Sequence, residues 1–260
     1  MDGGFVRDVG PAVACDGAAE CHECREGESW RDGGLGARMA AANVNGESGR
    51  ARDGMAGADQ RSVDDRLREL DGTPRLQRLG ANATLGVSLA TCRAVAASRR
   101  QALYGRIADL TNAQPTLPLP MTNILSGGLH AGGDMDVQDF LVVPMRASSI
   151  DEAIHLIARV RSAAIEISRE HGLPTLLADE GGLSPGCESG RAALQLMVES
   201  IERAGLEPGD DMAIAIDVAA TTLMQPDGRY RLARENRVLD TDAMIDLIEG
   251  WARDFPLVSV

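Results

Sequence analysis

The second half of the sequence alternates short apolar runs with amphipathic segments, and this alternation limits the possible folds more than any other feature. Strand-length runs occur at 140–143, 175–178, 212–216 and 257–260, and helical periodicity at 151–170, 189–204 and 242–254. On the first of these helices, Ile154, Ile157, Val160, Ala164 and Ile167 are predicted to face inward. Strands that alternate with helices are typical of a parallel sheet covered by helices. The pattern therefore predicts an α/β fold.

The first part of the sequence has a different rhythm. Residues 1–60 are rich in Gly, Ala and Arg and show only weak strand patterns at 5–6 and 9–13, whereas helices are predicted at 61–70, 81–98 and 103–110. The helix at 81–98 is rich in alanine and is predicted to be buried, with Leu85 and Leu89 along it. Three prolines between 115 and 120 form a stiff connector. We therefore expect two domains, at 1–114 and 115–260.

The charge balance excludes some classes of partner. The formal net charge is −13, and all 26 basic residues are arginines. Nucleic acids and anionic membranes need a basic face, so neither is expected as a partner. No apolar run reaches the roughly 18 residues of a membrane span, and no secretion signal is visible, so a cytoplasmic location is expected. Without lysine, this chain cannot supply a lysine base or form a Schiff base.

Acidic residues follow two of the predicted strands. Asp179 and Glu180 come after the run at 175–178, and Asp217 comes after the run at 212–216. In α/β barrels, catalytic groups lie at the C-terminal ends of strands, so these acids are expected on one rim. They are candidates for metal ligands or acid–base groups, although a cap on the following helix would also explain each one.

A glycine-rich segment at 123–140 contains His130, Gln138 and Asp139. Its glycines allow the backbone to approach a ligand closely, and the imidazole of His130 could contact a phosphate or transfer a proton. A surface loop with no function is the alternative interpretation.

These segments together resemble the enolase family. The resemblance rests on LPLPMTN at 117–123, SGGLHA at 126–131, QDF at 138–140, DEGGLSP at 179–185 and AIDVAA at 215–220. LDGT at 70–73 and LGANATLGVS at 79–88 are similar to the helical part of the N-terminal domain. The match extends from about 63 to 260. It implies an incomplete enolase-type TIM-like barrel, preceded by a small α+β N-terminal domain.

The resemblance also implies an activity and residue roles. Enolases are Mg²⁺-dependent lyases of glycolysis that dehydrate 2-phosphoglycerate to phosphoenolpyruvate. Asp217 matches the first magnesium ligand, and Glu180 matches the catalytic acid that assists departure of the hydroxyl group. His130 and Gln138 match groups that line the substrate, and Asp139 stands where the family has a glutamate. Cations are needed in this chemistry because they stabilise the ene-diolate that forms.

Several departures from the family pattern lead to further expectations. The family's second metal-binding glutamate, its third metal ligand and its lysine base would follow position 260, and the loop at 16–20 lacks the family's hydroxyl groups. We therefore expect a homo-oligomer or a complementing chain that carries the C-terminal strands.

Two other functions remain open. A diverged enzyme of phosphonate metabolism, similar to carboxyphosphonoenolpyruvate synthase, would act on a phosphonate acid instead of a phosphorylated one. A non-catalytic enolase-like binding or assembly subunit is the other. A zinc site at Cys15, Cys21, His22 and Cys24 is a weaker hypothesis, because the spacing is irregular.

Overall fold

A computed structural model of the chain describes residue 24 and the ranges 36–51 and 54–260. The chain divides into two compact units between Leu117 and Pro118. The predicted strands at 5–6 and 9–13, the loop at 16–20 and three members of the proposed zinc cluster lie outside the described residues. Among the described helices, none is long and apolar enough to cross a lipid bilayer.

The described part of the first unit is helical. Its helices are α1 (Arg38–Asn43, continued by a π-helical turn, Val44–Ser48), α2 (Gln60–Asp71), α3 (Ala81–Ser98) and α4 (Leu103–Thr111). The predictions of α2, α3 and α4 are confirmed to within one residue at each end.

The core of the first unit uses the small residues of α3. Val63 and Leu67 of α2 pack with Ala83 and Val87, whereas Leu85 and Leu89 are 38% and 52% exposed. The prediction that these two leucines are buried is therefore wrong. Small side chains on the inward face let helix backbones approach closely, which explains why alanines line that face.

The second unit contains an open four-stranded sheet and a separate hairpin. Its elements are β1 (Thr122–Ser126), β2 (Asp139–Val143), α5 (Ile150–Glu170), α6 (Gly190–Arg203), β3 (Ala213–Asp217), α7 (Ala220–Leu223), β4 (Tyr230–Leu232), β5 (Arg237–Leu239), α8 (Thr241–Asp254) and β6 (Leu257–Ser259). The strand order in the sheet is β1-β2-β3-β6, and β4 pairs with β5. The sheet does not close, as expected for an incomplete α/β barrel.

The sheet is mixed, and this corrects the prediction of a parallel sheet. β2 is antiparallel to both β1 and β3, and the parallel pair is β3 with β6. A parallel pair needs a crossover that returns the chain to the same end of the sheet. The glycine-rich connection from β1 to β2 contains no crossover helix. Between β2 and β3 there are two helices, α5 and α6, so the chain re-enters the sheet in the opposite direction.

Two strand predictions fail in this unit. Leu176 and Leu177 are 72% and 61% exposed, and the run at 175–178 makes only an isolated bridge from Leu177 to Leu183. This run lies outside the four-stranded sheet, so no neighbouring strand pairs with it along its length. Conversely, β1 forms at the start of the segment that was predicted as a glycine-rich loop, with Ile124 and Leu125 fully buried.

The long helices α5, α6 and α8 of the second unit form as the sequence predicts, because each of the three begins at a side-chain cap. The Ser149 and Ser189 hydroxyls and the Asp240 carboxylate accept hydrogen bonds from backbone N–H groups in the first turns of α5, α6 and α8. Four of the five inward residues predicted on α5 are buried, but Ile154 is 57% exposed because it lies beyond the contact with the core.

Gly190 provides a test of this packing. A Cβ atom at Gly190 would lie 2.5 Å from Cη2 of the buried Trp251 on α8, whereas a Cβ atom at Gly250, also on α8, would meet only the end of a flexible arginine. We expect Gly190→Ala to lower the free energy of unfolding by about 1–3 kcal/mol through overpacking. Gly250→Ala, the matched control, should raise it by about 0.5–1 kcal/mol. Urea unfolding measures both changes, and equal effects would contradict the described contact.

Candidate active site

The candidate site lies where β2 begins and where β1 and β3 end. Because β2 runs antiparallel to both neighbours, Asp139 at its start is paired with Ser126 at the end of β1 and with Asp217 at the end of β3. Asp217 and Asp139, which were both predicted as site residues, therefore lie side by side, although they are far apart in the sequence.

Asp139 is a buried carboxylate supported by β1. Its Oδ1 accepts a hydrogen bond from the Ser126 hydroxyl at 3.0 Å and another from the Asn123 side-chain amide. Burial raises the pKa of Asp139, and the neighbouring Asp217 carboxylate raises it further, against the opposing effect of these hydrogen bonds and of His130. A carboxylate in this position gains stability when a cation approaches it.

Asp217 is oriented by groups on both sides of it. Its Oδ1 accepts a hydrogen bond from the backbone N–H of Ala219 at 2.9 Å, and its Oδ2 accepts one from the side-chain amide of Gln138 at 3.3 Å. The backbone N–H of Gln138 also donates to the carbonyl of Asp217 at 3.1 Å. Gln138 is 1% exposed, so it joins the base of the site to β3.

His130 lies on a short 3₁₀ turn, Gly128–Ala131, after β1. Its Nδ1 is 2.8 Å from Oδ1 of Asp179, and its Nε2 is 3.7 Å from Oε1 of Glu180. The imidazole side chain is 6% exposed, whereas those of the two acids are 69% and 48% exposed. The imidazole is thus enclosed, and the acids facing it remain accessible from solvent.

His130, Asp139 and Glu180 together offer a possible metal site. One ligand atom from each residue lies within 4.8 Å of the others. Asp217 is not a member of this triad but is the β-sheet partner of Asp139. Carboxylate oxygens suit Mg²⁺ and Ca²⁺, and an imidazole nitrogen also suits Zn²⁺ and Mn²⁺. The residues present fit a divalent cation.

The structure therefore brings all five predicted site residues to one end of the sheet, and their individual roles stay predictions. Sequence reasoning named Asp179 as a candidate but missed its contact with His130, and it missed the supporting roles of Asn123, Ser126 and Gly182. A Cβ atom at Gly182 would overlap the Ser126 hydroxyl and lie 3.1 Å from the Asn123 amide atoms. The motif DEGG at 179–182 could have indicated the role of Gly182, because a glycine allows the backbone to approach neighbouring groups closely.

Comparison with family models agrees with this architecture. The model described as the enolase C-terminal TIM barrel domain matches residues 114–260, and the model of the enolase N-terminal domain matches residues 1–107.

A double-mutant cycle tests the contact between Gly182 and the residues that hold Asp139. We expect Gly182→Ala to lower the free energy of unfolding by about 1–3 kcal/mol, because its Cβ displaces the Ser126 hydroxyl. In the double variant with Ser126→Ala, part of that loss should be recovered, which gives a coupling energy of about 0.5–3 kcal/mol in urea unfolding. Strictly additive effects would show that the two residues do not touch.

Proposed function

Since the chain belongs to the enolase family, we propose that it forms part of a Mg²⁺-dependent lyase that dehydrates 2-phosphoglycerate to phosphoenolpyruvate. The observation that carries this proposal is the convergence of His130, Asp139 and Glu180 beside Asp217 at one end of the sheet. Four such groups from three separate segments of the sequence are more than a helix cap or a surface loop requires.

The acidic groups suit a hard divalent cation. Asp217 would provide one oxygen ligand, and the carboxylate of its strand partner Asp139 adds negative charge beside it. When bound, Mg²⁺ would stabilise the negative charge that develops on the substrate after a proton is removed next to its carboxylate.

The residues of this chain have separate tasks in that reaction. Glu180 is half-exposed and lies against the imidazole of His130, so it can hold a proton and deliver it to the departing hydroxyl group. Gln138 and Asp139 are buried at the base of the site, where they orient polar groups of the substrate. Enclosure of His130 keeps water away from one side of the reacting group.

Abstraction of the substrate proton needs a base from elsewhere if that base is a lysine, because none of the 260 residues is lysine. We infer that a second polypeptide segment completes the site. Strand β6 lies at the edge of the sheet, and Val258 on it is 51% exposed. An edge strand of this kind can pair with a strand of a different polypeptide segment. A second copy of this chain could pair there as well, but it would bring no lysine, because its sequence is the same.

A phosphonate substrate is the second candidate. Asp139 is one methylene shorter than the glutamate implied at this position, and its hydrogen bonds to Asn123 and Ser126 hold it against β1. A shorter side chain held against β1 would leave more room for the acid group of the substrate. Parallel assays with 2-phosphoglycerate and a phosphonate analogue distinguish the two candidates.

The proposed metal site leads to a binding prediction. We expect weak binding of Mg²⁺, since the ion retains much of its hydration, and a loss of about tenfold or more in affinity for Asp217→Ala. Asp210→Ala, which removes an exposed acid from a turn before β3, should leave the affinity unchanged. Titration calorimetry measures both affinities. Equal Mg²⁺ affinity in Asp217→Ala and Asp210→Ala would show that the metal binds elsewhere.

The absence of lysine leads to an activity prediction. With saturating Mg²⁺, the purified chain alone should give no phosphoenolpyruvate above background in a coupled assay with 2-phosphoglycerate. Turnover at the level of an enolase, abolished by Glu180→Gln, would show that this chain contains its own base.

A further inference from the structure

The excursion between β3 and α8 has no part in the chemistry proposed above. It folds into the hairpin of β4 and β5, and the chain reverses through the turn at 233–236. Leu232 and Leu239 anchor the hairpin in the hydrophobic core. The turn contacts two segments that carry site residues, the glycine-rich segment and the segment with Asp179 and Glu180. These contacts indicate a structural role at the site.

The first contact is with the glycine-rich segment. Asp136 lies between His130 and Gln138 in the sequence, and both of its carboxylate oxygens accept hydrogen bonds from the hairpin turn. Oδ1 accepts from the backbone N–H of Ala233 at 2.7 Å, and Oδ2 accepts from the backbone N–H of Arg234 at 3.0 Å. One carboxylate thus ties the segment that connects His130 to β2 to the hairpin turn, between Met135 and Val137, which are buried in the core.

The second contact is with the segment that carries Asp179 and Glu180. Nη2 of Arg234 donates a hydrogen bond to the carbonyl of Gly186 at 3.0 Å. The two segments also meet directly, since the Ser184 hydroxyl donates to Oδ2 of Asp134 at 3.0 Å. The turn therefore holds one segment through Asp136 and the other through the side chain of Arg234.

These contacts matter because two glycines with left-handed backbone angles lie between His130 and Asp136. Gly132 and Gly133 have φ angles of 65° and 82°, and a Cβ atom at either would meet no other atom within 4 Å. Such residues lose much conformational freedom when they are ordered and have no side chain to pack. The position of His130 therefore depends on anchors at either side of the glycines.

We propose that the turn Ala233–Arg234 is a positioning element that sets the separation between His130 and the acids Asp179 and Glu180. The proposal rests on the proposed function, because it assigns a supporting role in the same site. Arg234 acts through the backbone of the 179–187 segment and does not touch the reacting atoms.

The test compares two exposed arginines of the same excursion. Arg234→Ala removes the hydrogen bond to Gly186, whereas Arg229→Ala removes only an ion pair with Asp227, two residues away. Arg234→Lys restores a donor, and Asp136→Asn weakens the other contact. The full chain is used throughout, without substrate. The readouts are the imidazole C–H signals of His130 in NMR spectra, hydrogen exchange in segments 128–137 and 179–187, and the affinity for Mn²⁺.

We expect Arg234→Ala and Asp136→Asn to shift the His130 signals, to speed exchange in both segments and to weaken Mn²⁺ binding by about three- to tenfold, less than loss of a group that contacts a ligand directly. Arg234→Lys should recover most of the change, and Arg229→Ala should resemble the wild type. If the unfolding midpoint falls in Arg234→Ala while the His130 signals and the exchange rates stay unchanged, the role is only structural and the proposal is overturned. Absence of Mn²⁺ binding in the wild type would count against the proposed function instead, since the NMR and exchange measurements need no metal.

Discussion

The pairing of β2 with β1 and with β3 runs antiparallel, and the arrangement of the site depends on this reversal. A strand parallel to its neighbours would bring its own C-terminal end to the rim, and Asp139, at the start of β2, would lie at the opposite end of the sheet from Asp217. Reversal of one strand puts the first residue of β2 beside the last residues of both neighbours. The hydrogen bonds from Asn123 and Ser126, and the glycine at 182 that leaves room for them, follow from that register.

Much of the secondary structure could be predicted because it depends on local patterns. The helices α2, α5, α6 and α8 begin at side-chain caps and show apolar periodicity. The strands β2, β3 and β6 coincide with short apolar runs, and the sheet buries the first two of them. Strand direction was predicted wrongly because the run at 175–178 was counted as a strand between two helices, whereas α5 and α6 follow each other with no strand of the sheet between them. For a related reason, the run at 175–178 was predicted as a strand but is not one, and β1 was predicted as part of a loop but is a strand. Apolar character alone cannot distinguish the exposed Leu176 from the buried Ile124, since burial depends on which segment forms the edge strand of the sheet.

The candidate site was predictable as a set of residue types but not as a geometry. Acids after apolar runs and a histidine among glycines indicated His130, Glu180 and Asp217, and the resemblance to enolases added roles. The contact between His130 and Asp179 joins residues 49 positions apart, and the hydrogen bond from Gln138 to Asp217 joins residues 79 apart. Such contacts exist only after the sheet has formed. Sequence patterns identify the participating groups, and tertiary structure decides which of them meet.

The position of the site in the sequence has a consequence for synthesis of the protein. All of the described groups, from Asn123 to Asp217, precede α8 and β6 along the chain. A ribosome therefore releases β1, β2, β3 and the two helices between β2 and β3 before it makes the strand that pairs with β3 on its other side. Domains generally fold as units, and N-terminal domains fold first during synthesis. The residues of the site are therefore made early in the second unit, and their assembly awaits the synthesis of α8 and β6.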